Sequence, residues 1–157
     1  MELLDRVKKL IDLYHKGALG GETMPEDSNP HFEKSSANNY LYFTLPMALN
    51  YQRNSYTLWQ SALSTYNDKT CLDVFEPNKV VAMSGSELKT KLTKYKVALQ
   101  PNKQPIIWRT LCETIVRDFD GDIRNLFVHH DYDIAKIKDY ILSHKKDFPY
   151  LSGISAF

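Results

Sequence analysis

Cysteine is scarce in this sequence, with Cys71 and Cys112 the two in 157 residues. Neither has a Cys or His at ligand spacing, and two so far apart make no disulfide framework. Both read as small buried apolar residues, which suits a reducing compartment. No apolar run approaches the roughly 18 residues that span a bilayer. The N-terminal segment MELLDRVKKLIDLYHKG interrupts its apolar positions with charge, unlike a signal peptide. The cytoplasm is therefore the expected compartment, with no membrane partner. An excess of one charge is missing too: the net charge is +1 and the pI about 7.7. Most domains that bind nucleic acid through phosphate contacts are more basic, so DNA binding would have to come from local geometry. Sustained period-two alternation between turns is also absent, which excludes half-buried strands.

What remains is a chain of ordinary globular composition, 43% hydrophobic and 25% charged, with ten Tyr and seven Phe. Its length suits one domain able to bury a core without disulfides or a metal. Leu3, Leu4, Val7, Leu10, Ile11 and Tyr14 line one face of a helix that Gly17, Gly20 and Gly21 end. Residues 17–36, rich in Gly, Pro, Asn, Asp and Ser, read as a long surface loop. Leu41, Leu45, Ala48 and Leu49 share a second helical face, and Leu58, Trp59, Ala62 and Leu63 a third. The polar knot Gln52-Arg53-Asn54-Ser55 between them predicts a short turn, with Asn54 or Ser55 as cap.

Two short helices follow. Pro77 suits the first turn of one, and Ser84 with Glu87 predicts a capping box for the other, whose face carries Leu88, Leu92 and Tyr95. Pro105 opens a stronger helix with Ile107, Leu111, Ile115, Val116 and Phe119, ended by Gly121. The last helix, led by Asp131 or Asp133, carries Ile134, Ile137 and Ile141. The sequence predicts an all-α, multi-helix orthogonal bundle of about seven helices, a single domain over 1–157.

No cluster supplies a complete set of catalytic residues. Asp118, Asp120 and Asp122 surround Gly121, but the calcium-loop pattern needs Gly at the sixth position and Glu at the twelfth. A helix end and solvated turn fits better. His129, His130, Asp131 and Asp133 read as a helix cap with surface histidines, and no cofactor or metal is expected. No serine or cysteine sits in a nucleophile elbow, and no glycine loop fits a phosphate. Lys89, Lys91, Lys94, Lys96 and Lys103 make one basic stretch, either a solvated helix face or a track for a phosphate backbone.

From Leu41 to Phe157 the order of segments resembles the front part of the helix-hairpin-helix superfamily of base-excision DNA glycosylases. Leu49-Asn50-Tyr51-Gln52-Arg53-Asn54-Ser55 resembles that family's Gln-containing bend between two helices. FEPNKVVAMSGSEL, LCETIVRDFDGDIRNL and DIAKIKDYIL follow in the family's order. Leu151-Ser152-Gly153-Ile154-Ser155 falls where the family has Leu-Pro-Gly-Ile-Gly.

The resemblance implies that Gln52 enters the duplex and fills the gap left by a flipped nucleotide, with Arg53 and Asn54 beside it at the DNA. Gln52 and Asn54 could instead only cap and bridge two helices. It also implies that Gly153 and Ser155 belong to a backbone corner that binds phosphate, although Ser155 replaces the family's second glycine. The family's catalytic Asp and Lys lie beyond that hairpin. A truncated or non-catalytic glycosylase-like domain, binding duplex DNA weakly at most, is the expectation that follows. A helical protein-interaction module is the alternative, with Tyr150, Leu151, Ile154 and Phe157 forming an apolar patch for a second copy or another chain.

Overall fold

The computed structural model describes residues 3–19 and 24–151. Those residues form eight α-helices and no strand. The helices are α1 (Leu3–His15), α2 (Ala37–Leu49), α3 (Ser55–Asn67), α4 (Pro77–Ala82), α5 (Gly85–Lys94), α6 (Gln104–Asp118), α7 (Arg124–Val128) and α8 (Ile134–Ser143). Two 3-10 turns, Pro25–Asp27 and Leu72–Phe75, join them. No helix among the described residues is long and apolar enough to cross a membrane.

The caps were legible in the sequence. The Asn54 side chain accepts from Thr57 N at 3.1 Å, opening α3, and Asp133 accepts from Ala135 N, opening α8. Ser84 accepts from Glu87 N. The Glu87 carboxylate pairs with Lys91 one turn on, so this is a single-sided cap instead of the reciprocal box. Pro77 and Pro105 sit in first turns, where a missing N–H costs nothing. Gly121 closes α6 at φ +77°, its N–H donating to Ile115 O at 3.0 Å. A Cβ there would meet only the far end of the exposed Asn78 side chain, which can swing aside, so it is the backbone angle that favours glycine.

The centre of the bundle is α6, whose Ile107, Trp108, Leu111, Cys112 and Ile115 are buried against α2 and α4. The Trp108 indole donates to Val74 O at 2.8 Å, fixing the second 3-10 turn to α6. Both cysteines are buried and free. Burial pushes the Cys112 thiol well above its ordinary range, which makes it inert. From α2, Leu41, Leu45, Ala48 and Leu49 are buried as the periodicity predicts, together with Tyr42 and Pro46. Tyr42 stacks on Phe75 with ring centres 5.6 Å apart, and its hydroxyl donates to Ser28 O.

No residue of 24–36 is buried, yet Phe32 meets Tyr66 edge to face at 5.1 Å and the turn Pro25–Asp27 packs on α3. Two expectations need correction. The helix α7 has no counterpart in the sequence reading, because five residues show too little periodicity and Ile123 at its start offers no capping group. Ile134, expected on the inner stripe of α8, is 68% exposed. Residues 131–136 are all exposed, so that stripe begins before the helix reaches the body. The face of α1 forms as predicted, yet no residue of α1 is buried. Gly20 and Gly21 lie outside the described residues.

Candidate nucleic-acid interface

The bend between α2 and α3 is short because both ends are fixed. The C-terminal carbonyl of α2, Leu49 O, accepts from Gln104 Nε2 at 3.1 Å. The Gln104 Oε1 accepts from the backbone N–H groups of Leu99 and Gln100. One buried amide therefore locks the end of α2, the loop over 98–103 and the start of α6. On the other side Asn54 caps α3. Between these anchors Tyr51 and Gln52 stand exposed, and Gln52 adopts φ +49°. Left-handed backbone costs a non-glycine residue about 1–2 kcal/mol, so the apex is held there by its surroundings.

The C-terminal segment comes back to this bend. Tyr150 stacks on Tyr51, ring centres 5.5 Å apart and planes within 4° of parallel. Lys103 places its ammonium 5.1 Å from the Tyr150 ring centre. A hydrogen bond with the Tyr150 hydroxyl raises the Lys103 pKa. Arg53 donates from Nη1 to Val97 O at 2.8 Å and so brings the neighbouring Lys96 to the same end. Seven described residues other than glycine have positive φ, and three of them, Gln52, Lys96 and Tyr150, gather here. Strain of this kind concentrates where geometry serves a function more than stability.

The three residues singled out on the bend thus separate. Gln52 projects into solvent, with an amide that can both donate and accept. Arg53 is half-buried, bonded to Val97 O, with Nε enclosed and without an acceptor. Asn54 spends its side-chain oxygen on the helix cap. Gly153 and Ser155 lie outside the described residues, as do Ile154 and Phe157 of the C-terminal patch. Tyr51, Tyr150 and Gln104 were not recognised as parts of one site. An aromatic beside the Gln was the available signal, but its partner lies 99 residues along the chain.

The basic stretch is largely neutralised within the molecule. Lys91 pairs with Asp73 and Glu87, and Lys94 with Asp68. The Lys94 ammonium, helped by Thr70, holds the Asp68 carboxyl far below the ordinary range. Lys89 donates to Asn102. Two of the three acidic residues around Gly121 are similarly engaged, Asp118 with Arg117 and Asp122 with Arg124. Among the described residues no three His, Cys, Asp or Glu side chains converge to hold a metal ion.

Set against protein families, curated proteins and solved structures, the chain matches none of them.

Proposed function

We propose that this chain is a DNA-glycosylase-like helical domain that contacts duplex DNA at the Gln52 apex and, as these 157 residues, excises no base. The observation that carries the reading is the Tyr51–Tyr150 stack. It joins the Gln-bearing bend to Tyr150, so the chain's last described turn meets the Gln52 apex. The exposed Gln52 amide suits the orphaned partner of a displaced base, which needs a donor and an acceptor. Tyr51 offers a ring face next to it, and Lys96 and Lys103 offer cations for flanking phosphates. The 157 residues include no counterpart of the family's catalytic Asp or Lys, hence binding without excision.

Fluorescence anisotropy with a duplex carrying an abasic-site analogue tests this at low salt. The wild-type protein should prefer that duplex to an intact one, and Gln52→Ala should lower its affinity about tenfold, equivalent to about 1.4 kcal/mol. Absence of binding at low salt defeats the reading. Release of free base, abolished by a point substitution, would defeat its non-catalytic part.

A further inference from the structure

Between the first turns of α5 and α6 lies an open depression of about 280 Å³, just below the lower end of the usual range for ligand pockets. Leu88 and Pro105, both buried, and Pro101 and Ile106, both exposed, give it apolar walls. At 64% exposed, Ile106 is a large apolar side chain that α6 leaves in solvent beside this space.

Two cations, Lys89 and Arg109, line the same depression. The Arg109 guanidinium donates from Nη1 to Val81 O at 3.4 Å and from Nη2 to Met83 O at 2.6 Å. These bonds close the end of α4 and hold the guanidinium in place, with three of its five N–H donors left over. Lys89 donates to Asn102 Oδ1 at 2.9 Å, which keeps two ammonium donors in hand and leaves the Asn102 Nδ2 group as a further donor. Both cations are thus bonded to neutral oxygens. Among the described residues neither has a carboxylate within ion-pair distance, and no carboxylate lines the depression. Lys91 and Lys94, on the same helix as Lys89, are by contrast matched with acids.

We propose that this depression binds a phosphate monoester carried on a small apolar body, the phosphate at Lys89, Arg109 and Asn102 and the body against Ile106 and the two prolines. Two unmatched cations call for a dianion. A phosphate monoester carries about −1.5 to −2 charges at neutral pH, where a carboxylate carries one. Arginine also suits phosphate oxygens better than a point charge does, through its planar set of donors. The side chains of Leu88, Pro101, Pro105 and Ile106 offer no hydrogen bond, so the body they suit is hydrocarbon. This site makes no use of the Gln52 apex and does not depend on the DNA reading.

Titration of the 157-residue protein with phenyl phosphate at low salt, followed by backbone amide NMR shifts, tests the assignment. Saturable shifts are expected at Gly85, Lys89, Asn102 and Arg109, with a Kd of about 1 mM or tighter. Phenol and inorganic phosphate should each bind roughly tenfold more weakly, since each brings half of the chemistry. Gly85→Glu is the sharpest variant. Gly85 lines the depression outside the left-handed region, and a Cβ there would meet nothing within 4 Å, so the new side chain enters without strain. It stands one turn from Lys89, where its carboxylate can pair with the ammonium. Phenyl phosphate should then bind roughly tenfold more weakly, whereas Gly85→Gln, of the same size and uncharged, should keep most of the affinity. Lys89→Gln should also weaken binding severalfold. The amide of acetylphosphotyrosine separates two sources of this chemistry. Weaker binding than phenyl phosphate supports a free small molecule, tighter binding supports a phosphotyrosine side chain, and both uphold the site. The proposal is overturned if phenyl phosphate at about 10 mM gives no saturable shift. Inorganic phosphate bound as tightly as phenyl phosphate would overturn it too, as would a Gly85→Glu protein that binds phenyl phosphate unchanged.

Discussion

At Gln52 the demands of stability and of the proposed contact pull apart. Its φ of +49° costs a side chain with a Cβ about 1–2 kcal/mol, while glycine takes that angle freely at an unfolded-state entropy cost of about 0.5–1 kcal/mol. Since the side chain is exposed, little packing is lost on its removal. Gln52→Gly should therefore stabilise the protein by about 0.5–1 kcal/mol in urea unfolding while abolishing preference for the abasic duplex. A residue serving only to bridge α2 and α3 predicts the contrary, lost stability and unchanged binding. Nearby Arg53 and Asn54 would behave in that structural manner, because their polar atoms are already committed to Val97 O and to the α3 cap.

Between elements, Gln104 is the residue on which the site depends most without forming part of its surface. It is 2% exposed and makes three hydrogen bonds, to Leu49 O, Leu99 N and Gln100 N. Gln104→Ala leaves the buried Leu49 O without a partner, at about 1–3 kcal/mol, and two part-buried donors, Leu99 N and Gln100 N, that water can reach in part. A loss of about 3 kcal/mol in urea unfolding is expected. The Tyr51–Tyr150 stack should loosen as well, which a change in near-ultraviolet circular dichroism would report.

Such a contact also shows what sequence reasoning reaches. The caps at Asn54, Ser84 and Asp133, the prolines at Pro77 and Pro105, and the stripe of α6 depend on neighbours within a turn or two. They are legible in the order of residues. Gln104 meets Leu49 across 55 positions and Tyr51 meets Tyr150 across 99, so no local pattern announces either. Burial is misread for the same reason at Ile134 and along α1, where periodicity identifies an apolar face but not whether anything lies opposite.

For the molecule as a whole, charge bookkeeping predicts how weakly salt should act on the proposed DNA contact. Of the five lysines in the basic stretch, Lys91 and Lys94 are tied to carboxylates and Lys89 to Asn102. Lys96 and Lys103 are left at the Gln52 end, on a chain whose net charge is +1. Each phosphate neutralised contributes about −0.9 to the slope of log affinity against log salt, so two give about −2. Affinity for the abasic duplex should then fall roughly tenfold between 50 and 200 mM salt. Lys96→Ala and Lys103→Ala should each flatten the slope by about one. A slope steeper than about −5 would mean that DNA runs along a broader basic surface. That result would remove the Gln52 apex as the centre of the interface.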